Sequence, residues 1–185
     1  MRASLIRYIT GRGGSGIGGL SAYLATLEDD FEVLPIDSMF LQQNIQEQVD
    51  KTREFINLGS GNIIANSYGA YLLMLSLIEQ PPLPIRVLLL SPVLGRAISE
   101  ERMLFSRPPR EKTLHKAIAE QRLRMPDHME IVSGAQDEIC DPALATKIGE
   151  QLGIKVAILS GEAHMLRPQA VSQYLQRFLD GHGQH

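Results

Sequence analysis

The stretch Asn62–Leu72, "NIIANSYGAYL", changes character in its middle. Residues 62–67 read as a strand. From Tyr68 the chain continues as "YGAYLLMLSLIEQ", apolar nearly all round, which predicts a buried helix packed near the middle of a sheet. Ser67 thus stands where a strand turns directly into a helix, with Ala65 and Gly69 two positions to either side. So sharp a turn crowds neighbouring backbone, so those flanking positions must be small. Small-x-Ser-x-small is the pattern of a nucleophile elbow. A serine before a helix is more often only a cap, so Ser67 alone decides little.

A serine hydroxyl is a weak nucleophile at neutral pH and needs an adjacent base, itself oriented by an acid. Outward from the elbow, apolar runs of strand length alternate with amphipathic segments. Strands are predicted at 4–10, 31–37, 85–93, 129–135 and 154–160, besides 62–67. Helices are predicted over "LSAYLATLED", over "NIQEQVDKTREFI" with Ile45, Val49, Thr52 and Ile56 in line, after Asp141-Pro142, and around Val171 to Leu179. This alternation implies a parallel sheet covered on both faces, a three-layer α/β/α domain. Asp137 follows the fifth strand and His164 the sixth, each where a strand's carboxyl end opens into a loop. That edge is where such sheets carry their sites. Asp141 reads better as a helix cap. His115, His128, His182 and His185 lack a strand-end context.

A second motif competes for the functional reading. "ITGRGGSGIGG", residues 9–19, contains a literal G-x-G-x-x-G between strand and helix, and Asp37 ends the next strand where a ribose hydroxyl would be bound. It resembles the loop of short-chain dehydrogenases, but those need a Tyr-x-x-x-Lys pair. Tyr8, Tyr23, Tyr68, Tyr71 and Tyr174 are followed four residues on by Arg12, Leu27, Leu72, Leu75 and Phe178. The Rossmann-type dinucleotide reading lacks its catalytic residues.

The order Ser67, Asp137, His164 on this alternation resembles the α/β-hydrolase superfamily, in a small, minimal, esterase-like form. The resemblance implies six parallel strands in the order 2-1-3-4-5-6, without the antiparallel strands that usually begin the fold. It implies Ser67 as nucleophile, His164 as base and Asp137 as its orienting acid. It places an oxyanion hole at the backbone N–H groups of Arg12 and Tyr68, with Gly13 as the alternative in the first loop. Arg12, Gly13 and Asn66 are candidate substrate contacts. A carboxylic ester or thioester would be cleaved through an acyl-enzyme, with no metal and no organic cofactor.

Composition narrows the partners. A chain of 185 residues with 44% hydrophobic and 21% charged residues is expected to form one soluble domain. A net charge of -3, five Phe, five Tyr and no Trp argue against nucleic acid. One cysteine excludes a disulfide framework, and the longest apolar stretch is too short for a bilayer, so a cytoplasmic protein is expected. Arg7 interrupts the first apolar run, which does not read as a secretion signal. The span 95–128 breaks the rhythm, with eight Lys or Arg against five Asp or Glu, and reads as a basic, lid-like insert. Apart from hydrolysis, the same chain suits a non-catalytic binding protein that keeps the fold.

Overall fold

Six short runs rich in Ile, Leu and Val form β1 (Ile6–Ile9), β2 (Phe31–Leu34), β3 (Gly61–Asn66), β4 (Ile85–Leu90), β5 (His128–Gly134) and β6 (Lys155–Leu159). In the computed structural model, which describes residues 5–27, 30–95, 97–98 and 108–181, they make one all-parallel sheet. The order is β2-β1-β3-β4-β5-β6, as the resemblance implies. After β1 the chain places β2 on one side and β3 on the other. The loops leaving β1 and β3 therefore diverge and open a crevice at the carboxyl edge.

Seven helices among the described residues cover the sheet: α1 (Gly19–Leu24), α2 (Ser38–Leu41), α3 (Ile45–Ile56), α4 (Ser67–Ser76), α5 (Glu111–Ala119), α6 (Pro142–Leu152) and α7 (Pro168–Asp180). Successive strand residues point to opposite faces, and the core divides accordingly. Ile63, Ala65, Val87, Leu89 and Ile131 pack beneath α3, α4, α5 and α6. Ile64, Leu88, Leu90 and Val132 face the other way, with Leu24 of α1 and Val171, Leu175 and Phe178 of α7. Every residue of α4 from Tyr68 to Ser76 is buried, the all-round apolar helix the sequence implies. No helix among the described residues is long and apolar enough to cross a membrane.

The helix boundaries follow their caps. Asn44 and Glu47 form a capping box at α3, and Asp141 accepts the Ala143 N–H before Pro142 opens α6. Asp37 accepts the Phe40 N–H and starts the four-residue α2, which hydrophobic periodicity is too coarse to detect. α1 is shorter than its apolar pattern predicts. No side chain caps it, and beyond Leu24 the chain tightens into i→i+3 bonds from Thr26 and Leu27.

Residues 96 and 99–107 lie outside the described residues, and with them much of the span in which a lid is expected. The later part of that span is the β4-to-β5 crossover. There α5 buries Leu114, Ala117 and Ile118 in the core, and Leu123 bridges to Ile78 at the end of α4. Tyr71 donates to the carbonyl of Pro109, and His115 Nε2 lies 2.5 Å from the carbonyl of Leu94.

Arg7 is fully buried in β1. Its Nη1 donates to the carbonyls of Phe55 (2.9 Å) and Ile56 (3.1 Å), and Nη2 to those of Gly59 (2.5 Å) and Ser60 (3.3 Å). The guanidinium thus satisfies the last turn of α3 and the loop into β3, where helix carbonyls have no internal partner. Burial lowers its pKa, opposed by the charge of Glu32. Arg7→Met should leave these carbonyls unpaired and lower unfolding free energy by about 3 kcal/mol in a urea titration. A loss below about 1 kcal/mol would contradict this role.

Candidate active site

Each candidate sits at the carboxyl edge of the sheet, on a loop or at the junction of β3 and α4, and the backbone explains why. Ser67 begins α4 with φ 52°, the left-handed conformation that a side chain rarely adopts. The elbow is held so because α4 must turn back at once over β1. A Cβ on Gly69 would overlap the carbonyl of Thr10 and lie 2.7 Å from Ile9 Cγ2. A Cβ on Gly11 would lie 3.2 Å from Ser67 Cβ, so the first loop lies against the serine.

Ser67 Oγ lies 2.8 Å from His164 Nε2. His164 Nδ1 lies 3.0 and 3.1 Å from the two carboxylate oxygens of Asp137. An acceptor on the Nδ1 side fixes the tautomer with Nδ1–H, leaving Nε2 to accept from the serine hydroxyl. Asp137 is buried, and its Oδ1 also accepts the N–H groups of Ile139 (2.9 Å) and Cys140 (2.8 Å). The structure therefore brings together Ser67, Asp137 and His164, which the sequence spaces far apart. Asp141 is spent on its cap, as expected.

The loops carrying Asp137 and His164 are joined directly. Ala135 N–H donates to Leu159 O and Gln136 N–H to Glu162 O, both at 2.9 Å. Gly134 permits this approach, since a Cβ there would overlap the carbonyls of Glu162 and Ala163.

In the glycine loop, Gly13 N–H donates to Ile36 O (2.8 Å) and Gly14 N–H to Gly11 O (3.0 Å). Thr10 Oγ1 accepts the Ile36 N–H at 2.8 Å, which ties the loop to the end of β2. The Arg12 N–H has no protein acceptor among the described residues. Tyr68 N–H lies in the first turn of α4, where helix N–H groups lack internal acceptors. Asp37, the acid of the dinucleotide reading, is committed to capping α2.

A cavity of about 1120 Å³ opens beside Ser67 and His164, walled by the glycine loop, Val93, Ile139 and residues 164–168. Arg12 and Asn66 also line it. Tyr8 shares this wall, and burial raises its hydroxyl pKa to about 12. Tyr68 turns its ring inward, donating to Gln48 Oε1 at 3.0 Å and stacking on Tyr71.

Asp137, Cys140 and His164 offer ligand atoms within 4.8 Å of one another. A metal there would have to displace the Asp137–His164 hydrogen bonds. It would also need a thiolate, whereas Cys140 donates to Ser91 O (3.1 Å) and burial, then the nearby Asp137 charge, push its thiol pKa well up. The donor set suits the serine–histidine arrangement better than a cation.

Sequence reading did not single out Glu162. Its buried carboxylate accepts the Arg167 backbone N–H (3.0 Å) and Nε (2.9 Å), and also pairs with Nη2, closing the loop that carries His164. The only sequence signal is an acid five residues before an arginine, indistinguishable from an ordinary surface pair.

No family model matches the chain, and no curated protein matches it by sequence. Solved structures do. The ydeN gene product of B. subtilis superposes with TM-score 0.67 at 14% identity, over 96% of this chain and 99% of its own. A monoacylglycerol lipase of Paleococcus ferrophilus gives 0.67 at 13%, over 96% and 93%. A carboxylesterase structure from the thaumarchaeon Nitrososphaera gargenis gives 0.63 at 14%, over 97% and 90%. The chain has the α/β-hydrolase fold.

The bonds from Arg167 hold the Glu162 carboxyl below the usual carboxylate range. A lowered folded pKa means the clamp is complete above the unfolded value and is lost as pH falls through the folded one. At neutral pH, Glu162→Ala should speed hydrogen exchange at the Arg167 amide. Arg167→Ala, which keeps the backbone bond, should speed it less. Equal protection in all three proteins would refute the clamp.

Proposed function

We propose that the protein is a serine hydrolase that cleaves a carboxylic ester or thioester through an acyl-enzyme. The observation that carries this reading is the continuous chain Ser67 Oγ–His164 Nε2 (2.8 Å) and His164 Nδ1–Asp137 (3.0 Å) on a left-handed elbow. Hydrolase neighbours that include an esterase and a lipase support it.

Ser67 attacks the carbonyl carbon as its proton passes to His164 Nε2, and the carbonyl oxygen becomes an oxyanion. Asp137 holds the imidazole in place and stabilises its charged form. The N–H groups of Arg12 and Tyr68 receive the oxyanion, each worth about 3 kcal/mol at the transition state. Arg12 is preferred to Gly13 because the Gly13 N–H is already given to Ile36. His164 then protonates the leaving oxygen or sulfur. A water, deprotonated by the same nitrogen, attacks the acyl carbon, and the proton returns to Ser67 as the acid departs. None of these steps calls on a metal or an organic cofactor. A single free, buried cysteine suits work in the reducing cytoplasm.

Steady-state hydrolysis of 4-nitrophenyl acetate tests the assignment. Ser67→Ala and His164→Ala should each lower kcat/KM by roughly three orders of magnitude or more, and combining them should cost little beyond either alone. Additive losses, or a Ser67→Ala variant as active as wild type, would remove Ser67 and His164 from a common mechanism.

A further inference from the structure

The cavity beside Ser67 is lined by charge of one sign. Among the described lining residues, Arg12 and Arg167 carry formal charge and no Asp or Glu is present, although the whole chain carries -3. The two arginines differ. Arg167 is neutralised by Glu162 through Nε and Nη2. Arg12 is exposed, pairs with no carboxylate among the described residues, and rests its guanidinium 5.7 Å from the centroid of the Tyr68 ring.

That ring fixes where the charge stands. Tyr68 follows Ser67, and Gly11, the residue before Arg12, lies against Ser67 itself. The Arg12 backbone therefore stands beside Ser67, and Arg12 lines the same cavity as the serine. Two highly exposed apolar side chains, Ile17 at 88% and Met165 at 86% exposure, line the same cavity. A cation held on an aromatic face is weakly hydrated and keeps its planar fork of donors available, which matches a carboxylate. With no Asp or Glu among the described lining residues, its field favours an anionic ligand. One unpaired positive charge balances one negative charge.

We infer that Arg12 binds a carboxylate on the ligand, and that the substrate is a monoanionic ester whose apolar remainder lies toward Ile17 and Met165. As a statement about a substrate this rests on the Ser67 reading above; as a statement about a ligand it does not.

The test separates the two. Binding of monomethyl adipate and of neutral dimethyl adipate is measured by NMR titration on Ser67→Ala, and methanol release from both is followed with wild type. The inference expects the monoanion to bind about tenfold more tightly, with the preference shrinking as salt is added. Adding Arg12→Met should abolish the preference, and Arg12→Lys should retain part of it. Circular dichroism confirms that each variant is folded. Equal binding of the two esters, or a preference that survives Arg12→Met, overturns the inference whatever the wild type hydrolyses. An Arg12-dependent preference without methanol release supports the anion site and counts instead against the hydrolase reading.

Discussion

A Cβ on Gly69 would collide with the carbonyl oxygen of Thr10, and that near-contact between the start of α4 and the end of β1 organises the rest of the site. With glycine there, α4 folds back directly over the sheet and Ser67 takes the left-handed conformation, at a cost of roughly 1–2 kcal/mol. Burial offsets it. The residues from Tyr68 to Ser76 all lie in the core, and each leucine among them contributes about 2 kcal/mol. The same approach brings the glycine loop against the serine, so the proposed nucleophile and the proposed oxyanion donors share one constraint.

A second close approach does the equivalent work for Asp137 and His164. Gly134 admits the backbone of Glu162 and Ala163, the β5 and β6 loops exchange hydrogen bonds, and Glu162 closes the second loop onto Arg167. His164 is thus held from both sides of its loop. Two backbone N–H groups orient the Asp137 carboxylate before it meets the imidazole. Little of this arrangement has to reorganise during a proton transfer, which is the condition under which fixed dipoles stabilise a transition state well.

The legible parts of the sequence were those governed by local pattern. Alternating apolar runs implied a parallel sheet, the family resemblance implied its strand order, the apolarity of residues 68–76 marked a buried helix, and Asp141-Pro142 marked a helix start. Ser67, Asp137 and His164 could be proposed together because each follows a strand, and the structure draws them within hydrogen-bonding distance. What escaped depends on partners distant in sequence or on ambiguous short motifs. Arg7 shows only as a charge in an apolar run until its carbonyl partners at Phe55, Ile56, Gly59 and Ser60 are seen. Asp37 suits a ribose contact as well as a cap, and only its bond to Phe40 N–H decides. The choice between Arg12 and Gly13 is likewise invisible without the Gly13 bond to Ile36.

Covalent labelling reads whether Ser67 is an activated nucleophile without knowledge of the substrate. Intact-mass analysis after treatment with a fluorophosphonate should show one adduct on the wild-type protein and none on Ser67→Ala, with His164→Ala labelled far more slowly. A folded wild type that takes up no label, or an adduct that persists in Ser67→Ala, would mean that Ser67 is not the activated group and leave a hydrolase fold used for binding.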